Sequence, residues 1–124
     1  MHLLKMIALQ ILAGFMLALV FVQSHNGMEV YMEGKDFVTA QMVSTRNIDS
    51  SMWMDWFTGG LNYQIEHHLF PTIPRHNLKR AKEWVVKFCK EHGFRYESCG
   101  MDTGTYRVLE RLAQVARHVP TATM

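Results

Sequence analysis

Metal-binding cysteine patterns are missing from this 124-residue chain, which has only Cys89 and Cys99 and no CxxC pair or cysteine–histidine quartet. That excludes the small zinc modules that need four closely spaced ligands. There is no HExxH, so the helical zinc-protease pattern, two histidines around a glutamate base, is excluded too. Internal repeats and low-complexity tracts are also lacking. The net charge is only +2 and no basic face stands out, so nucleic acid is not an expected partner. Acidic residues are missing from one region in particular: all eleven Asp and Glu lie after Val22, together with twelve of the thirteen Lys and Arg.

The N-terminal region is apolar instead. Residues 3–22 read LLKMIALQILAGFMLALVFV, interrupted only by Lys5 and Gln10. A helix rises about 1.5 Å per residue, so this run reaches about 30 Å, the thickness of a bilayer hydrocarbon core. Phe21-Val22-Gln23-Ser24-His25 offers no small-residue cleavage site, which favours a membrane span over a signal peptide or a soluble core helix. Lys5 lies on one side of the span and Lys35 and Arg46 on the other, a count that places the C-terminal part in the cytosol. A cytosolic setting keeps thiols reduced, with Cys89 read as a small apolar helix residue and Cys99 as a loop thiol.

The length allows one domain at most. The expected fold is all-α: a transmembrane helix over 3–22, then a cytosolic region over 23–124 with a histidine-bearing helix and two amphipathic C-terminal helices. Asn26-Gly27 signals a turn, and 28–46 is polar without sustained periodicity. Asp49 or Ser50 is the expected cap of a short helix over 51–57, which Gly59-Gly60 stops. Its Trp53, Trp56 and Phe57 suit a membrane–water interface. A helix over 61–70 follows, stopped by Pro71 and Pro74. Leu78, Ala81, Val85 and Phe88 then mark an amphipathic helix capped by Asn77 and closed by Gly93. The last helix, about 105–118, carries Leu109, Leu112, Ala116 and Val119 as its stripe, with Pro120 beyond it.

The most informative stretch is Gln64-Ile65-Glu66-His67-His68-Leu69-Phe70-Pro71. At about 100° per residue, a helix puts Gln64, His67 and His68 on one face spanning roughly 100°, with Glu66 pointing to the other side. Imidazoles suit iron, zinc or copper, and a carboxamide oxygen suits iron better than copper. His25 ends the apolar span, at the level of a site on the membrane surface. His76 reads as structural, His92 and His118 as solvated or complementing helix ends, and His2 has no visible partner.

The run Asp55-Trp56-Phe57-Thr58-Gly59-Gly60-Leu61-Asn62-Tyr63 leads into that stretch, and Thr72-Ile73-Pro74-Arg75-His76-Asn77-Leu78 follows it. Together they resemble the third histidine box of membrane fatty acid desaturases, in the front-end type where glutamine replaces the first histidine of HxxHH. Phe21-Val22-Gln23-Ser24-His25-Asn26-Gly27-Met28 resembles the end of the family's last membrane helix. Thr45-Arg46-Asn47 is similar to the motif before the Asp-Trp-Phe segment, and Lys87-Phe88-Cys89-Lys90-Glu91-His92-Gly93 to the C-terminal helix.

The resemblance implies that Gln64, His67 and His68 are third-box residues around a di-iron centre, that His25 is a further ligand, and that Glu66 supports the site from behind. It also implies an oxidoreductase of the endoplasmic reticulum membrane that uses O2. The substrate is a fatty acyl-CoA or acyl-lipid, which gains a double bond between its carboxyl end and an existing one. Electrons come from NADH through cytochrome b5 reductase and cytochrome b5. A sphingolipid desaturase has a similar tail.

No HxxxH and no second HxxHH occurs in the chain. Four candidate ligands are roughly half of what a histidine-rich di-iron centre requires. The expectation is therefore a fragment of a multi-span enzyme, inactive by itself. The alternative is a noncatalytic single-span membrane protein that retains a desaturase tail.

Overall fold

A helix of 24 residues, α1 (His2–His25), opens the computed structural model, which describes residues 2–30 and 33–118. It extends the expected span by three residues at its C-terminal end and is about 36 Å long at the usual rise. Among the described residues it is the one helix long and apolar enough to cross a membrane. Leu4, Leu9, Ile11 and Phe15 are all exposed, and the only buried residues of α1 are Gln23 and Ser24 in its last turns. The rest of the chain packs around that end.

Arg46 makes the join. Its buried guanidinium donates from Nε and Nη2 to the Gln23 carbonyl, at 2.9 and 2.7 Å, and from Nη2 to the Asn26 carbonyl at 3.1 Å. These carbonyls have no partner within a helix that stops at His25, so the arginine acts as its C-terminal cap. Gly27 follows with φ +81°, a left-handed turn that a side chain would strain.

The segment 28–46, read from sequence as polar and aperiodic, contains a helix, α2 (Phe37–Ser44). Asp36 caps it, accepting from the Thr39 backbone at 3.1 Å and from the Thr39 hydroxyl at 2.6 Å. Residues Asn47–Ile48 (β1) and Ser98–Cys99 (β2) form a two-residue parallel pair, Asn47 opposite Ser98 and Ile48 opposite Cys99. The fold is thus mostly helical, with one strand pairing that an all-α expectation does not contain, and Cys99 belongs to that pairing rather than to a loop.

The next helix, α3 (Met52–Thr58), is capped by Ser51 rather than Asp49 or Ser50, its hydroxyl accepting from the Met54 backbone at 3.0 Å. The histidine helix, α4 (Gln64–Leu69), starts three residues later than expected. Residues 61–63 form a turn instead, because Asn62 and Tyr63 donate to the two oxygens of Asp55 at 2.8 and 3.0 Å. The α4 N-terminus is capped from a distance: Asn47 Oδ1 accepts from the Ile65 backbone at 2.8 Å.

A 3₁₀ turn, Arg75–Asn77, leads into α5 (Leu78–His92), where Asn77 makes no side-chain cap and Gly93 closes the helix at φ +73°. Its buried face is Leu78, Ala81, Val85 and Cys89. Phe88, expected in that stripe, instead stacks on Phe94 with centroids 5.6 Å apart. Met42, Ile65, Val85 and Cys89 form the core, and each fully buried aliphatic side chain among them contributes about 1.5–3 kcal/mol.

The last helix, α6 (Met101–His118), begins four residues earlier than expected and buries Gly104 and Val108. The expected stripe is corrected: Leu109, Leu112 and Ala116 face outward, and Val119 and Pro120 lie outside the described residues. Gly104 lies on the packed face, where a methyl group would meet the Gln23 side-chain oxygen and lie 3.3 Å from Ile48 Cδ1, so that either neighbour would have to shift.

Candidate metal centre

Three of the four residues expected as ligands meet at the end of α1. Gln64 Nε2 lies 3.0 Å from His25 Nε2 and 3.1 Å from His68 Nε2, so two imidazoles from separate helices converge on one carboxamide. The His25 and His68 rings meet edge to face, centroids 5.1 Å apart. His67 stands beside them, its ring 5.9 Å from that of His68 and nearly perpendicular to it. No hydrogen bond holds the His67 ring among the described residues.

The hydrogen bonds orient lone pairs toward this point. His68 Nδ1 donates to Gln41 Oε1 at 2.9 Å, which leaves its Nε2 lone pair facing Gln64. Burial, then the neighbouring His25 and His67, lower the His68 pKa and favour the neutral ring, the form that binds a metal. Turning the Gln64 amide over brings its Oε1 to the same point, giving two nitrogens and a hard oxygen.

This donor set matches the chemistry of iron, but it is short of donors. Among the described residues, no group of three His, Cys, Asp or Glu is arranged to hold a metal ion.

Glu66 faces the other way, as a helical period of 3.6 requires. It is fully buried, its Oε2 accepting from Asn47 Nδ2 at 2.7 Å and its Oε1 from the Tyr96 hydroxyl at 2.8 Å. Asn47 Nδ2 also lies 2.5 Å from the Tyr96 oxygen, which closes the triangle. Burial first, then the charge of Glu66 and the hydrogen bond to it, push the Tyr96 phenol far above its ordinary pKa. A buried carboxylate with two good donors is tolerated where an unpaired one is not. The triangle pins α4 from behind, so that Gln64, His67 and His68 face outward.

Sequence reasoning did not find Gln41, nor the roles of Asn47 and Tyr96. Gln41 lies in the helix that periodicity missed, and Tyr96 reaches Glu66 across thirty positions of sequence. His2, His76, His92 and His118 are all exposed and take no part in the cluster. A separate cleft of about 600 Å³ is lined by Arg95, Arg107, Arg111, Glu97 and Glu110 among others, and Glu97 is ion-paired with both Arg95 and Arg107.

The chain belongs to the fatty acid desaturase family, whose model matches residues 1–100. Among curated proteins it is 57% identical over 107 residues to the acyl-lipid (9-3)-desaturase of Physcomitrium patens, covering 86% of this chain and 20% of the relative. It is 38% identical over 110 residues to a Delta(6)-fatty-acid desaturase of Caenorhabditis elegans, covering 86% and 25%. With the Delta 8-(E)-sphingolipid desaturase of Komagataella phaffii it shares 39% identity over 100 residues, covering 79% and 18%. These relatives and the Gln64-Ile65-Glu66-His67-His68 run make the chain a piece of front-end desaturase sequence. It spans about a fifth to a quarter of the length of the relatives it matches. No solved structure matches it.

Proposed function

We propose that this chain is the C-terminal part of a membrane di-iron front-end fatty acid desaturase, and that His25, Gln64, His67 and His68 are its share of the iron ligands. The observation that carries this reading is the convergence of His25 Nε2 and His68 Nε2 on the Gln64 carboxamide, at 3.0 and 3.1 Å. In this reading α1 crosses the endoplasmic reticulum membrane, and 23–124 form a cap on its cytosolic face.

Bound iron, with O2 as co-substrate, supplies the oxidising power to remove hydrogen from an unactivated methylene, which side-chain acids, bases and nucleophiles lack. The residues of this chain do the positioning. Gln41 fixes the tautomer and plane of the His68 ring, and the Asn47–Glu66–Tyr96 triangle holds α4 in place. Glu66 stays out of the coordination because both its oxygens are occupied on the far side of the helix.

The substrate is a fatty acyl chain carried on coenzyme A or a lipid, and the new double bond forms on the carboxyl side of an existing one. Electrons arrive from NADH through cytochrome b5. The higher identity to a relative named for acyl-lipids than to those named for sphingolipids favours a fatty acyl carrier. Alone, with two imidazoles and one amide converging and His67 beside them, the chain is inactive.

A chimera tests this: the matching segment of the Physcomitrium patens desaturase is replaced by this chain and expressed in yeast fed defined polyunsaturated fatty acids. The expected result is a product with one further double bond toward the carboxyl end, seen by mass spectrometry. A chimera that accumulates in membranes like its parent yet makes no product contradicts the proposal. It would favour instead a noncatalytic single-span membrane protein that retains a desaturase tail.

A further inference from the structure

Helix α3 is inside out for a protein in water. Its acidic residue, Asp55, turns inward to Asn62 and Tyr63, while Met52, Trp53 and Trp56 are 91%, 65% and 70% exposed. Trp53 lies against both Trp56, centroids 4.8 Å apart, and Phe57, at 6.5 Å, so the rings form one continuous apolar plate. A soluble helix shows the reverse pattern, with its charge outward and its rings buried.

The depth of this plate follows from what the other side of α3 touches. Met54 and Thr58 face Val20, Gln23 and Ser24 of α1 across a small shared cavity. Those α1 residues lie about 26–31 Å along the helix from Leu3, which puts them at the edge of a hydrocarbon core of about 30 Å. Indole rings, with an apolar body and one N–H donor, are best accommodated at that level, among lipid headgroups.

We propose that the Met52–Trp53–Trp56 face of α3 docks in the headgroup layer of the bilayer that α1 crosses, and so sets the height of the histidine cluster above the hydrocarbon. The occupant is lipid, because the plate continues at the level where α1 leaves the membrane. This rests on the reading of α1 as a span, and the test separates the two.

The full chain is reconstituted in phosphatidylcholine vesicles with bromine at shallow or deep acyl positions, and tryptophan fluorescence is read. The chain has three tryptophans, and Trp84 serves as an internal control because it lies on α5 beneath the Arg80 guanidinium, 5.4 Å away, on a charged face. Trp56→Phe/Trp84→Phe isolates Trp53, Trp53→Phe/Trp56→Phe isolates Trp84, and Leu9→Trp in a chain with its own tryptophans changed to Phe reports on α1.

Shallow bromine is expected to quench Trp53 at least about twofold more than Trp84, and deep bromine to quench the Leu9→Trp probe. If the Leu9→Trp probe is quenched and Trp53 is quenched no more than Trp84, the docking is overturned and the span stands. A blue-shifted but unquenched Trp53 means that protein, such as a second copy of the chain, covers the face, and this also overturns the proposal. Failure of the Leu9→Trp probe to quench overturns the span and, with it, the argument from depth.

Discussion

Replacing Asn47 with alanine should be among the most damaging single changes outside the apolar core. The side chain is fully buried and makes three contacts: Nδ2 to Glu66 Oε2 at 2.7 Å and to the Tyr96 oxygen at 2.5 Å, and Oδ1 from the Ile65 backbone at 2.8 Å. Its loss strands the Ile65 N–H at the start of α4, a buried donor whose desolvation costs about 1–3 kcal/mol. It also removes one of two donors from a buried carboxylate, a charge-assisted bond worth about 1.5–3 kcal/mol. The two losses together come to about 2.5–6 kcal/mol, a large share of the roughly 5–15 kcal/mol typical of a small domain. Tyr96→Phe removes only the other donor to Glu66 and should cost about half as much. Urea unfolding of the chain in detergent micelles, followed by circular dichroism, measures both. An Asn47→Ala chain within about 1 kcal/mol of the parent, or less affected than Tyr96→Phe, would refute the reasoning.

Further outcomes follow from the same packing. Gly104→Ala, normally worth up to about 1 kcal/mol in favour of a helix, should instead destabilise by about 1–3 kcal/mol, because the added methyl meets Gln23 Oε1 and lies 3.3 Å from Ile48 Cδ1; thermal melting reads the sign. Arg46→Lys keeps the charge but loses the forked contact to the Gln23 and Asn26 carbonyls, and should cost about 2 kcal/mol and speed proteolysis after His25. Burial alone would raise the Glu97 carboxyl, but hydrogen bonds and ion pairs from Arg107 and Arg95 hold it below the ordinary carboxylate range. A carboxyl depressed on folding contributes stability above its unfolded pKa and loses it as pH falls through the folded value. Acid titration of stability should therefore be shallower in Arg107→Gln at pH values below the ordinary carboxylate pKa, and an unchanged acid limb would contradict the assignment.

The parts of this fold that sequence makes visible are those governed by local periodicity. The 3.6-residue repeat of Leu78, Ala81 and Val85 locates α5, and Gly93 ends it as expected. The same repeat puts Gln64 and His68 on one face and Glu66 on the other, and the hydrogen bonds follow that division. The apolar run locates α1, though its helical end at His25 depends on a cap from Arg46, twenty-three positions beyond Gln23. What was hidden depends on distant partners. Helix α2 has no clear apolar stripe and is held by Asp36 at one end and by burial of Ala40 and Met42. The outward turn of Leu109 and Leu112 follows from Gly104, whose bare backbone lets Gln23 and Ile48 approach and so decides which side of α6 packs. Gln41, Asn47 and Tyr96 are ordinary polar residues by type, and only the fold brings them to His68 and Glu66.

The central claim is that His25 and His68 hold iron. It is tested most directly by the iron-to-protein ratio of the purified chimera, compared with its His25→Ala, His68→Ala and His76→Ala variants. About two irons per polypeptide are expected in the parent and in His76→Ala, whose ring is exposed and outside the cluster, with fewer than about one in the other two. Full iron content in His25→Ala and His68→Ala would contradict it.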